Sequence, residues 1–302
     1  MEMGSSVKRY IRLFKYDFKN TIRCNYLMFI FTVVLAVIGC MYFKGKVHNN
    51  YENMKFIESR QELKDAYPDI DFSEYDNYKG AGIADYQLYM FRGMDKITKR
   101  ELNSNTKIEI PVMFIGMAVI LSFMTGKFLF KNGNYTTIVR TKSRPAWILS
   151  KLICNMLVIA FVYIITAFTG WIFSNKEVTL GIQTCKSIMG IDRADLNITG
   201  LNVILIMVML PCLSAIAVAQ IQIMISLAVN EIAAFVVSIG IYIFSVFYKT
   251  MWLPASGCMV QRFSYFMDGG FDVKSIVFYD IILIIVCVIA DIFIMRQKNI
   301  LD

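Results

Sequence analysis

The chain has 302 residues, is 57% apolar and only 18% charged, and carries a formal net charge of +8; soluble domains run at about 45–50% apolar and 25% charged. Charge-free stretches cover residues 24–43, 110–126, 152–175, 196–230 and 232–248, which excludes a soluble enzyme. The single histidine, His48, excludes sites that need paired imidazoles, and the seven scattered cysteines hold no CxxC pair.

Residues 7–23 read as an amphipathic helix in the headgroup plane. Ile11, Phe14, Phe18 and Ile22 recur at spacings of three and four, with Lys8, Arg12, Lys15 and Lys19 opposite them. The chain is then expected to turn into a first span over 24–43, since a hydrocarbon core of about 30 Å takes ~20 apolar residues. Val37-Ile38-Gly39-Cys40 has the form of a lipoprotein cleavage box. The apolar run before it exceeds the roughly 7–15 residues of a signal peptide, so an intact span is expected.

Residues 44–109 form a tyrosine-rich insert, with helices expected at 52–66 and 83–99 on either side of Pro68 and the Gly80-Ala81-Gly82 turn. Spacer and substrate-contacting lid both remain open for it. Pro111 starts the second span, and Ser143 with Pro145 starts the helix leading into the third, at about 152–173. Residues 203–248 must be two helices, because one helix of that length would run about 70 Å. Asn230-Glu231 is the expected hairpin point, and Pro211 should kink the fourth helix.

An outer connection over 248–273 follows, whose patches 251–253 and 258–260 are apolar enough to dip back, and the last span lies at about 274–295. Trp171 and Trp252 are expected at the outer interface and Trp147 at the inner one. Cys185 and Cys258 both fall in outer loops, which leaves a pair between them open. The expected fold is therefore all-α: one membrane domain over 1–302 with six transmembrane helices, cytoplasmic termini and a small, mostly helical extracellular insert.

Basic residues set this orientation. Segments 1–23, 127–151 and the tail, together with the Glu231 turn, carry 14 basic and 4 acidic residues, whereas the outer segments carry 17 of each. The positive balance thus reflects topology; the lipid bilayer is the implied partner and nucleic acid is not.

Few residues offer chemistry. Thr125-Gly126-Lys127 is no phosphate loop, since Leu121 and Phe128 stand where a glycine and a hydroxyl are needed. Asp280 and Asp291 return to within about 20° of one helix face, ~16 Å apart along the axis. Acids at such depth face a bundle interior or a water path. Polar glue and a proton relay both fit, with Gln220 and Gln222 as candidate hydrogen-bonding partners. The inner loop over 127–151 places Tyr135, Ile138 and Val139 beside Arg140, Lys142 and Arg144. An apolar stripe with a basic edge is what docking into a protein groove requires.

A basic leading helix, a large outer insert and the run Ile138-Val139-Arg140-Thr141-Lys142-Ser143-Arg144-Pro145-Ala146-Trp147 between spans two and three complete the pattern. The whole resembles the membrane subunit of bacterial type-2 ABC exporters, especially those of Gram-positive bacteria that move antimicrobial peptides or drugs. The resemblance implies a coupling helix over 132–144 seated in a separate ATPase, with secondary contacts from 7–23 and from Glu231. It implies a second permease copy or homologue, and location in the bacterial plasma membrane. ATP and Mg would be bound by the ATPase, leaving no catalytic, metal or cofactor site in this chain, and the cargo would be a peptide antibiotic, drug or lipid-like molecule. Two other classes compete: a proton-coupled carrier using Asp280 and Asp291, and a peptide-sensing or immunity membrane protein.

Overall fold

The computed structural model describes residues 3–60, 81–94, 110–129, 143–174, 201–267 and 269–297. Its elements are α1 (Met3–Glu58), α2 (Ile83–Met90), α3 (Val112–Leu129), α4 (Arg144–Phe173), α5 (Leu201–Ile204), a π-helical turn (Leu205–Met209), α6 (Leu210–Ala228), α7 (Glu231–Phe247) and α8 (Val273–Gln297). Two 3₁₀ turns, Pro254–Cys258 and Val260–Arg262, lie between α7 and α8. The only pairing of β type among the described residues is an isolated bridge between Phe263 and Phe271.

Among the described residues, four segments are long and apolar enough to cross a membrane: Tyr10–Glu58, Arg144–Phe173, Leu205–Ala228 and Val273–Gln297. Val112–Gly126 and Glu231–Phe247 are shorter apolar helices. Large apolar side chains face outward, while several charged and polar groups are buried within a largely apolar core. Phe278, Ile289 and Phe293 of α8, Val236 and Phe244 of α7, and Ile30 and Phe31 of α1 are all more than half exposed. Asp17, Lys151, Gln220, Gln222, Arg262, Asp280 and Asp291 are buried. In water this arrangement would squander the hydrophobic effect; in lipid it is the stable one. The protein is thus all-helical and built for a membrane.

The expected turn between a surface helix and the first span is absent. With no glycine or proline between Ser5 and Ile38, nothing interrupts the backbone, and α1 runs unbroken for 56 residues, about 84 Å. The buried side of its basic part is not the Ile11–Ile22 stripe either. Ile11 and Ile22 are exposed, whereas Leu13, Asp17, Thr21 and Asn25 are buried at i, i+4 spacing.

Several start and stop signals act as their chemistry requires. Ser143 caps α4, its Oγ accepting from Ala146 N at 3.4 Å, with Pro145 in the first turn. Asn230 caps α7, its Oδ1 accepting from Ala233 N at 2.7 Å, so the hairpin between α6 and α7 turns where expected. Pro211 acts on the helix before it. Leu205–Met209 is a π turn, in which Leu210 N–H bonds Leu205 O, giving room to the ring that would strike a carbonyl four residues back. The helix expected over 83–99 stops at Met90, and Gly93 just beyond it adopts φ +73°, a backbone conformation no helix uses; residues 95–99 lie outside the described residues. A Cβ at Gly93 would also lie 2.5 Å from Met259 Cβ.

The two ends of the bundle differ. At one end Leu13, Trp147, Ile148, Leu152, Ile223, Leu227 and Met295 form a compact apolar cluster. Trp147 is therefore a core residue, only 3% exposed, and not the interfacial tryptophan its position predicts. At the other end α2 and the 3₁₀ segment form a cap. Val260 N bonds Phe91 O at 2.9 Å, and Tyr86 Oη donates to Phe173 O at 3.1 Å, so the insert is tied to the connection after α7 and to the end of α4. Trp171 and Trp252 are exposed at this end, where interfacial tryptophans belong.

Candidate functional site

Of the residues expected to receive an ATPase, Tyr135, Ile138, Val139, Arg140 and Lys142 lie outside the described residues. Arg144 opens α4, and its Nη1 donates to Arg296 O at the end of α8, 3.4 Å away. It thereby ties the start of α4 to the negative end of α8. Glu231 is exposed in the first turn of α7, where a carboxylate meets the positive end of the helix dipole.

Seven residues into α4, about 10 Å from its start, stands a group that charge counting assigns to the loop. Lys151 is 1% exposed, and its Nζ lies 2.8 Å from Asp17 Oδ1 of α1, which is fully buried. Ser150 Oγ donates to Asp17 Oδ2 at 2.7 Å, and Lys151 Nζ also sits 5.8 Å from the Trp147 ring centroid. Buried ions are stable only when paired and further hydrogen-bonded. This cluster meets both conditions and joins α1 to α4. Sequence position hides the pair, because Asp17 lies in a basic segment and Lys151 borders a loop. The signal was present, however: Asp17 shares an i, i+4 line with Leu13, Thr21 and Asn25, and Lys151 follows the Ser143 cap by two turns.

Asp280 and Asp291 do share the buried face of α8, together with Ile276, Cys287 and Met295. Their partners differ from those expected. Ser214 Oγ of α6 donates to Asp280 Oδ2 at 2.5 Å. Gln222 Nε2 instead donates to Ser122 O of α3 at 2.8 Å, and both amide atoms of Gln220 lack a partner among the described residues. The glutamines miss the acids because Ser214, not Gln220 or Gln222, is on the side of α6 that meets α8. Asp280 Oδ1 and both oxygens of Asp291 likewise find no hydrogen bond among the described residues. A cavity of about 10 Å³ touches Asp280 beneath Ser256 and Gly257, the size of a single water.

Comparison with known families, with characterised proteins and with solved structures finds no match. What the chain does must therefore be argued from its own residues.

The cap over Asp280 rests on tight packing at Gly257. A Cβ there would be driven into Ser214 Oγ and would lie 2.9 Å from Ile276 Cγ2. Gly257→Ala is therefore expected to cost about 1–3 kcal/mol by overpacking and to displace the Ser214–Asp280 hydrogen bond. A fall in the unfolding temperature of the purified chain checks this, and Gly257→Ala combined with Ser214→Ala should recover part of it. Cys258, next in sequence, is a buried free thiol whose ionisation burial pushes well up, so it stays protonated. Its Sγ donates to Pro211 O at 3.6 Å. Cys185, its conceivable partner, lies outside the described residues.

Arg262 is a second charge that spacing did not reveal. Fully buried, it donates from Nη1 to Ser245 O and to Tyr248 O (3.2 Å), from Nη2 to Val246 O (2.8 Å), and from Nε to Met94 O (2.9 Å). The guanidinium satisfies the last carbonyls of α7 and neutralises the negative end of its dipole. It also pins residue 94, at the end of the described insert, to the bundle.

Proposed function

We propose that the chain is the membrane subunit of a transporter that exports an amphipathic molecule and is powered by a separate ATPase. The observation that carries this reading is the link between loop and bundle. The segment 130–142 feeds directly into the two turns of α4 that hold Lys151 against Asp17. A push on the loop would move α4, and α1 would follow, because separating the pair exposes a buried charge. Such a coupled pair of helices suits a bundle that switches between two packings.

Six crossings complete the proposal. Beside the four long segments, Val112–Gly126 and Glu231–Phe247 approach the ~17 residues that the shortest spanning helices use. The termini and the loop would then be cytoplasmic, in keeping with their basic charge. The exposed apolar faces of α1, α7 and α8 leave room for a second copy or homologue in the bilayer.

The test is co-purification of an ATPase with this chain from its native membrane, followed by reconstitution of the two in proteoliposomes. Ile138→Asp and Arg140→Asp are each expected to weaken ATPase recruitment about tenfold or more and to abolish its stimulation, with membrane insertion intact. Unchanged assembly would overturn the docking claim. The buried, incompletely bonded Asp280 and Asp291 favour one other reading, a proton-coupled carrier. Transport that continues without nucleotide and stops on Asp280→Asn would select it.

A further inference from the structure

A cavity of about 400 Å³ opens on the flank of the bundle, at the capped end, between α1, α2 and the first turn of α3. That volume falls in the range of about 300–1,000 Å³ typical of small-ligand sites. Its lining changes character along α1. Ile38, Tyr42 and Lys46 line it at i, i+4 and i+8, so one helix face passes from apolar through aromatic to cationic toward the cap. Arg92, which follows α2, brings a second cation, and no carboxylate lines the cavity among the described residues.

The wall is ordered. Tyr89 stacks on Phe43 with ring centroids 4.8 Å apart and lies 6.2 Å from Tyr42. Arg92 Nε donates to Gln261 Oε1 at 3.3 Å, which holds the guanidinium in place, and Lys46 Nζ stands 5.4 Å from the Tyr42 ring centroid. The first turn of α3 also borders the cavity, and the N-terminus of an 18-residue helix adds partial positive charge.

Around the mouth the surface is apolar. Val34, Ile38, Met41 and Val112 are 48%, 52%, 61% and 67% exposed. Ile38 and Val112 line the cavity, and Val34 and Met41 lie one turn from Ile38 on α1, so in a bilayer this flank would meet acyl chains.

We infer that this cavity is a binding site for one anionic phospholipid of the leaflet at the capped end. The phosphate sits between Lys46 and Arg92, the glycerol lies against Tyr42 and Tyr89, and an acyl chain runs down past Ile38 and Met113. A free anion could sit between Lys46 and Arg92 but would leave the apolar floor empty; a zwitterionic lipid would bring its own cation beside two others. The inference needs only a membrane-embedded chain and stands apart from the question of an ATPase.

Native mass spectrometry of the full chain in detergent, titrated with phosphatidylglycerol, phosphatidylcholine or inorganic phosphate, tests it. One phosphatidylglycerol per chain should be retained, at least about fivefold more tightly than phosphatidylcholine, and Lys46→Gln should weaken it about fivefold. Ile38→Trp, which fills the floor without changing charge, should also displace it. Equal retention of the two lipids would overturn the proposal. So would an unchanged Lys46→Gln variant, or displacement of the lipid by millimolar phosphate, which would mark a site for free anions. Both variants should unfold at the parent temperature in phosphatidylcholine, which separates loss of the lipid from loss of the fold.

Discussion

Asp17→Leu is expected to lower the unfolding free energy of the purified chain by about 3–5 kcal/mol, the cost of breaking a buried ion pair by removing one partner. The partner left behind is Lys151, 1% exposed and 5.8 Å from the Trp147 ring centroid. Lys151→Met should cost a similar amount, since Asp17 would keep Ser150 Oγ and lose its cation. The double variant Asp17→Leu, Lys151→Met should regain most of that loss, because apolar residues of similar volume often replace a buried pair at no net cost. Chemical unfolding of the four proteins in detergent gives the coupling energy directly, and a single-variant loss below about 1 kcal/mol would show the pair to be solvated.

The double variant also separates stability from coupling. If the pair transmits motion from the loop at 130–142, the repaired chain should fold and insert yet lose nucleotide-driven transport. If the pair is only an anchor, transport should return along with stability. Energetic coupling between distant sites requires an element with two discrete arrangements, and a buried ion pair that is either closed or broken supplies one.

Arg262→Met is expected to cost about 3 kcal/mol or more, and Arg262→Lys should recover little of it. The guanidinium serves carbonyls of Ser245, Val246, Tyr248 and Met94 at once. Each buried carbonyl left without a donor costs about 1–3 kcal/mol. A lysine presents one compact charge and cannot span the end of α7 and the insert together. Limited proteolysis should therefore cut the insert near residue 94 in both variants before the bundle unfolds. Resistance equal to that of the parent chain would show that the cap is held by its apolar contacts alone.

The two charge clusters were differently visible. Ser143 with Pro145, and Asn230 before Glu231, announce their helix starts because capping is local chemistry within four residues. The shared face of Asp280 and Asp291 is likewise local, fixed by helical periodicity. Ser214 as the partner of Asp280 was not legible, because it depends on how α6 is rotated against α8. Gln220 and Gln222 were the more polar choices on the same helix, and the rotation points Gln222 to α3 instead. Arg262 reads as an ordinary loop arginine until the end of α7 is brought over it.

The order of its residues alone points to a helical chain with charge-free runs long enough to span a bilayer, and the helix breaks are written in proline, glycine and capping residues. The unbroken course of α1 was decided by packing: its polar line at Leu13, Asp17, Thr21 and Asn25 found α4, and no local signal told it to turn. The partners of Lys151, Asp280 and Arg262, and the cavity beside Lys46, also belong to the tertiary structure. Each depends on the rotation of one helix about its axis against another, and that angle is set by side chains far apart in sequence.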